Sequence, residues 1–352
     1  MELVDILRTA VERHASDIFL VVGQPITYKV ENTLIKQDEE KLWVDDTKKI
    51  TDGLYDLAHR DSKRFTTTGD DDFSVSVPQI GRFRVNVFKQ RGSCSAVLRV
   101  VNFSLPDYAS MGIPDTVMNL ANLKKGLVLV TGAAGSGKST TISYIIDRIN
   151  ETRNCHILTL EDPIEFLHKH KKSIVSQREI NLDSESYAKA LRAGMRQSPD
   201  VILVGEMRDL ETIEIAMTAA ETGHLVLSTL HTVGASNAID RIIDVFPAAQ
   251  QQQMRFQMSM VLQAIVSQQL VPGLDGKQTP AFEILKANNA IRTLIREGKG
   301  HQIGSAMQSS AKQEMKTMDM SLIELFRNKR ISEEVALDYA SEPDTMRRLL
   351  GI

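Results

Sequence analysis

The chain has 352 residues, 42% hydrophobic and 25% charged, with a formal net charge of -3, values that suit a two-domain globular protein with a substantial core. Its 42 Lys plus Arg against 45 Asp plus Glu exclude the basic excess of a general nucleic-acid binder, though not a local basic groove. Two cysteines, Cys94 and Cys155, with no CxxC spacing, exclude a disulfide framework and a cysteine-rich zinc site.

The opening residues Met1–Asp5 carry no leader pattern, and no apolar run approaches the length that spans a bilayer, so a cytoplasmic location is the default expectation. Leu3, Ile6, Leu7, Ala10 and Val11 fall at helical spacing and predict an amphipathic helix. Strand-like runs follow at 17–22 and 27–30, and the acidic run Asp70–Asp72 reads as a solvated turn. A hairpin then stands out. Phe73, Val75 and Val77 alternate with serines, Pro78–Gly81 punctuates, and Phe83, Val85 and Val87 alternate with Arg82, Arg84 and Asn86. Period two places Arg82 and Arg84 together opposite the core, on a face that is either solvated or offered to a partner.

Residues 101–115, with Pro106, Gly112 and Pro114, read as a linker. Beyond it come wholly apolar strands at 126–131, 156–160, 201–204 and 225–229, separated by helical stretches. Strands that are apolar throughout are covered on both faces, so the expectation is an α/β domain with a parallel sheet. Past about residue 280 strand signals end and short helical patterns replace them at 291–297, 321–327 and 332–339.

The segment Gly132-Ala133-Ala134-Gly135-Ser136-Gly137-Lys138-Ser139 matches GxxxxGK[ST], follows a strand and precedes the helical run 140–149, the context this phosphate loop requires. Its glycines let backbone N–H groups turn inward onto phosphate oxygens, the helix start beyond adds positive potential, Lys138 reaches the terminal phosphates, and the Ser139 hydroxyl ligates Mg²⁺. Thr140 continues the same first turn. The motif predicts nucleoside triphosphate binding.

Two acidic clusters end apolar strands: Glu161-Asp162-Pro-Ile-Glu165 and Gly205-Glu206. Carboxyl ends of parallel strands gather on one edge of a sheet, so both are expected beside the phosphate loop. Glu206 is assigned to the attacking water, with Glu161 and Asp162 near the metal and its shell; the plain alternative for Asp162, which precedes Pro163, is a helix cap. His224 and His231 bracket the next strand. Without cysteines nearby they make a poor zinc site. His231, just past the strand, is placed to sense a γ-phosphate. His224 is read equally as a structural residue or as part of the site.

These elements, in this order, resemble the secretion ATPase superfamily: Gly132–Thr140, Ile157–Glu165, Leu203–Leu210 and His224–Thr232 correspond to its Walker A, Asp box, Walker B and His box. Within it the chain is most similar to the type IV pilus retraction ATPases, through Ala15–Asp17, Gly81–Asn86, Val204–Thr212 and Ala290–Glu297, the last close to a retraction signature. The resemblance implies a PAS-like N-terminal domain at 1–100, a RecA-like P-loop ATPase core at 116–280 and a C-terminal helical region at 281–352. It also implies ATP and Mg²⁺, a cytoplasmic homohexamer at the inner-membrane face, an inner-membrane pilus platform protein as partner and a paralogous retraction ATPase as a further one. No nucleic acid is implied, and contact with the membrane is only through partners. In such rings basic residues of the N-terminal domain complete a neighbour's site, which makes Arg82, Arg84, Arg91 and Arg99 candidates, without selecting among them.

Three departures from the family pattern stand out: Ala133-Ala134 in place of Pro-Thr, Met195–Asp200 in place of a more acidic stretch, and Thr293 where Asn is usual. None removes a catalytic group. The missing four-cysteine zinc element of assembly and secretion relatives favours retraction. An accessory motor dependent on a second ATPase, and a non-catalytic ATP-binding ring, are the rival readings.

Overall fold

The structure is a computed structural model that describes residues 2–31, 33–101, 105, 108–310 and 314–351, without the side chains of Ala109 and Ser110. It divides into two compact units, Met1–Ser104 with Glu165–Leu167, and Leu105–Ile164 with His168–Ile352.

In the first unit six strands, β1 (Asp17–Leu20), β2 (Pro25–Val30), β3 (Thr33–Lys41), β4 (Asp70–Val77), β5 (Gly81–Gln90) and β6 (Ser93–Val101), form a sheet ordered β3-β2-β1-β6-β5-β4. Every neighbouring pair is antiparallel. The opening helix Leu3–Glu12 buries Ile6, Leu7 and Ala10, and these share one core with Leu54, Phe83, Val85 and Leu98.

The predicted hairpin is β4–β5, with Phe73 opposite Val85, Ser74 opposite Arg84 and Ser76 opposite Arg82. Arg84 also faces Arg99 across β6, so these two like charges are neighbours on one face. Asp17 relieves them by holding Arg99 Nε at 3.0 Å. Arg91 lies in the turn between β5 and β6, in the left-handed region at φ 50.

The acidic run is not a solvated turn. Asp70 opens β4, and Asp71 is 1% exposed, with its carboxylate 3.1 Å from Arg60 Nη2 and hydrogen-bonded by the Tyr55 hydroxyl at 3.2 Å. A charge this buried is stable only because it is paired. Of the stretch read as a linker, residues 102–104 and 106–107 lie outside those described. The rest holds the short helix Tyr108–Met111, and Ile113 is buried in a core of the second unit.

The second unit carries β7 (Gly126–Thr131), β8 (His156–Glu161), β9 (Ile174–Glu179), β10 (Val201–Glu206), β11 (Leu225–Leu230), β12 (Leu262–Pro272) and β13 (Gln278–Lys286), ordered β13-β12-β7-β11-β10-β8-β9. All pairs are parallel except β12–β13. Alternate residues of β7 serve opposite cores: Leu127 and Leu129 one, Val128 and Val130 the other. Each such side chain contributes roughly 1.5–3 kcal/mol by leaving water, and the double coverage explains the unbroken apolar runs.

Strand structure outlasts its sequence signal. β13 continues to Lys286, and β12, interrupted by Ser267, Gln268 and Gln269, follows directly on the helix Ala248–Val261. C-terminal helices follow, among them Asn289–Arg296, capped by the Asn288 side chain on Ile291 N–H and buried through Ile291 and Ile295. Among the described residues no helix is long and apolar enough to cross a membrane.

Candidate active site

The phosphate loop joins β7 to the helix Lys138–Thr152. Its shape depends on glycine at two points. Gly132 has φ 145 and would drive a Cβ into the peptide oxygen of Gln268; Gly137 has φ 87 and would bring one within 2.8 Å of Gln268 Nε2. Ala133, Ala134 and Gly135 are exposed at the loop's tip, while Ser136 and Lys138 are buried. Ser139 and Thr140, in the first helical turn, remain partly open, where free N–H groups and the helix dipole favour an anion.

Lys138 Nζ donates to the carbonyl oxygens of Gly132 and Ala133, both at 2.8 Å, and faces His231 Nδ1 at 3.4 Å. The strand order explains the last contact. β11 separates β7 from β10, so the residue that follows β11 falls between the lysine of the loop and the acid at the end of β10. That acid is Glu206. A register shift between Val204 and Glu206 interrupts its pairing with β11, and such irregularities re-aim a side chain. The carboxylate lies 3.4 Å from His231 Nε2 and 2.6 Å from Arg208 Nη2. Burial raises the Glu206 carboxyl, but Arg208 and His231 together outweigh it and hold it below the ordinary range.

Around these sit the other acids. Glu161, ending β8, accepts from Thr159 Oγ1 at 2.6 Å and from Gln177 Nε2 at 3.3 Å. Asp162 is exposed, and no helix begins there, so the capping alternative fails. The Tyr187 hydroxyl lies where a Cβ on Gly205 would be 2.8 Å away; desolvation, then the carboxylates of Asp162, Glu161 and Glu206, push the phenol well up.

Of the two remaining expected members, His224 does not join. Glu165 is exposed in irregular chain beyond β8. His224 precedes β11, level with the start of β7 because Leu225 pairs with Gly126 and Leu230 with Thr131. The phosphate loop lies at the other end of these strands, and His224 Nδ1 is occupied by the Ala219 backbone oxygen at 2.9 Å. Its structural reading is the one the geometry supports.

Three residues at this site escaped the sequence reading. Arg208 follows Glu206 closely and was legible as a charge at a strand end. Tyr187 and Gln268 carried no signal, since each arrives from a distant element.

A Walker-type loop, a lysine on its own loop carbonyls and a carboxylate at the end of a nearby parallel strand define a P-loop nucleotide-binding protein. The chain matches the family described as type II/IV secretion system protein over residues 2–345, and it belongs to that family. It is 41% identical over 345 residues, covering 98% of this chain and 99% of the other, to the type IV pilus retraction ATPase PilT of Pseudomonas aeruginosa. It is 38% identical, over 100% of this chain and 92% of the other, to the type IV pilus ATPase PilU of the same organism. A crystal structure of the pilus retraction motor PilT with bound ADP superposes with a TM-score of 0.90 at 45% identity, covering 99% of each chain.

The residues suit a nucleotide with its metal. Beside the cradle that a Cβ at Gly132 would block, the buried hydroxyls of Thr131 and Ser136 have no hydrogen-bond partner among the described residues. Buried polar groups left unpaired cost stability unless a ligand meets them.

Proposed function

We propose that this chain is the ATP-hydrolysing subunit of a motor that powers type IV pilus retraction. The observation that carries the reading is the contact series from Lys138 through His231 to Glu206 beside the phosphate loop, in a chain so similar over its length to a named retraction ATPase. Lys138 and the N–H groups of the loop and first helical turn hold the phosphates. Glu206, kept ionised by Arg208 and His231, orients the attacking water by accepting its hydrogen bond; a carboxylate with a depressed pKa suits positioning better than full proton removal. Mg²⁺, held by the Ser139 hydroxyl with Glu161 and Glu206 acting through water, would supply charge neutralisation at the phosphates.

The same reading makes the working unit a cytoplasmic homohexamer with PAS-like N-terminal domains, acting on an inner-membrane platform protein. One subunit's arginine would complete the site of the next. Among the described residues Arg84 and Arg91 make no ion pair, whereas Arg99 is held by Asp17 and Arg82 donates to Ser76 Oγ. Arg84, on the regular face of β5, is the first choice.

Steady-state ATPase assays of the purified protein beside Lys138→Ala and Glu206→Gln test this. Wild-type turnover no greater than that of Lys138→Ala overturns the enzymatic reading and leaves an ATP-binding ring. Hyperpiliated, non-motile cells on gene deletion support retraction, whereas bald cells point to assembly. The full-length similarity to PilU favours an accessory motor as the second reading; retraction by this chain in cells lacking every other retraction ATPase excludes it.

A further inference from the structure

Gln268 lies on β12, 127 residues along the chain from Thr141, and is 4% exposed. Its Oε1 accepts a 2.7 Å hydrogen bond from Thr141 Oγ1, in the helix that the phosphate loop opens. That bond fixes the side-chain amide so that Nε2 is turned toward Gly137. The peptide oxygen of the same residue presses against Gly132. One residue of a neighbouring strand therefore touches the first and last glycines of the loop and the helix beyond it. The preceding residue faces the other way: Ser267 Oγ accepts from the Gly234 N–H at 2.9 Å, in the segment that follows His231.

A glycine-rich loop has much conformational freedom to lose when it closes on phosphates, and whatever orders it beforehand removes that cost from binding. We propose that Gln268 is a positioning residue for the nucleotide: with Thr141 it holds the phosphate loop in its phosphate-accepting shape. This rests on the reading of the site as a nucleotide site. A polar pair serving only to fill the core would affect folding but not the response to ligand.

The test is ADP–Mg²⁺ titration of the full chain, followed by calorimetry and by the nucleotide-induced rise in Tm. In Gln268→Leu the Kd for ADP is expected to rise roughly tenfold, from loss of a buried hydrogen bond and of loop pre-ordering. The ATP KM should rise in parallel with kcat less affected. The Tm without nucleotide falls too, because Thr141 Oγ1 loses its buried partner, so the nucleotide-induced rise in Tm, smaller than in wild type, is what separates positioning from packing. Thr141→Val, which keeps the volume and removes the donor, should weaken binding in the same direction, and the double variant should be no worse than the stronger single one, as coupled residues require. If Gln268→Leu does not fold, Thr141→Val decides by the same titration. Unchanged ADP affinity in a folded variant, beside a wild type that binds, overturns the role of Gln268. Failure of the wild type itself to bind ADP–Mg²⁺ overturns the nucleotide site.

Discussion

His231 Nε2 faces the Glu206 carboxylate at 3.4 Å. The other ring nitrogen faces the Lys138 ammonium at 3.4 Å. An ammonium only donates, so Nδ1 accepts and the ring proton sits on Nε2, directed at Glu206. The ring thus lies between the Lys138 ammonium and the Glu206 carboxylate, with one nitrogen facing each. In His231→Ala both links are lost. Turnover should fall by about 10²-fold, in the range for loss of a positioned proton-handling group, with nucleotide affinity changed much less. Single-turnover ATP hydrolysis checks it, and an unchanged rate would remove His231 from the mechanism.

Arg208 should set the acid limb of the pH profile. Burial alone would raise the Glu206 carboxyl, and Arg208 is the main influence that brings it below the ordinary range. The proposed role of Glu206 needs it ionised, so activity is expected above its pKa and lost as pH falls through it. Arg208→Ala moves that limb to higher pH. Because the Arg208 side chain is 73% exposed, solvent screening keeps the displacement small. A kcat profile measured from acid to neutral pH reads it, and coincident profiles would show that Arg208 does not govern Glu206.

Glu283 ties two helices to β13. Its carboxylate accepts from Ala235 N–H at 2.6 Å and from Met318 N–H at 3.2 Å, at the first residues of the helices Ala235–Asp244 and Met318–Arg327. Glu283→Ala removes a cap from both and should cost about 1–2 kcal/mol for each. Glu283→Gln, with one acceptor oxygen, should lie between the two. Urea denaturation gives the numbers, and an unchanged midpoint in Glu283→Ala would contradict the double cap.

His168 should make the fold acid-sensitive. Desolvation, against a smaller opposing effect of Asp147, pushes its imidazole down from 6.5 to about 4. The folded pKa is below the unfolded one, so its contribution to stability is present above about 6.5 and is lost as pH falls toward about 4. His168→Gln should flatten the dependence of Tm on pH across that window. An unaltered slope would place the sensitivity elsewhere.

Local patterns carried much of this. The β4–β5 hairpin was legible because a two-residue period separates the core-facing Phe83 and Val85 from Arg82 and Arg84, and β7 with its loop because a contiguous motif contains its own strand, turn and helix start. Asp71 misled because an acidic run usually marks solvent, whereas Arg60 and Tyr55, which make its burial possible, lie outside the run. β12 was missed because Ser267, Gln268 and Gln269 break the apolar run where the strand contacts polar loops rather than core. His224 was ambiguous because a histidine beside a strand does not reveal which end of the sheet it occupies.

The sequence by itself determined that the second unit is a parallel α/β domain, that Gly132–Ser139 is a phosphate loop, and that Glu206 is an acid at a strand end. Each rests on neighbours along the chain. Only the tertiary structure decided the order β12-β7-β11-β10, because strands apolar on both faces carry no mark of which strand lies beside which. That order places His231 between Lys138 and Glu206, and it brings Gln268 against both ends of the loop. Sequence chemistry supplied the functional groups, and long-range packing set the contacts between them.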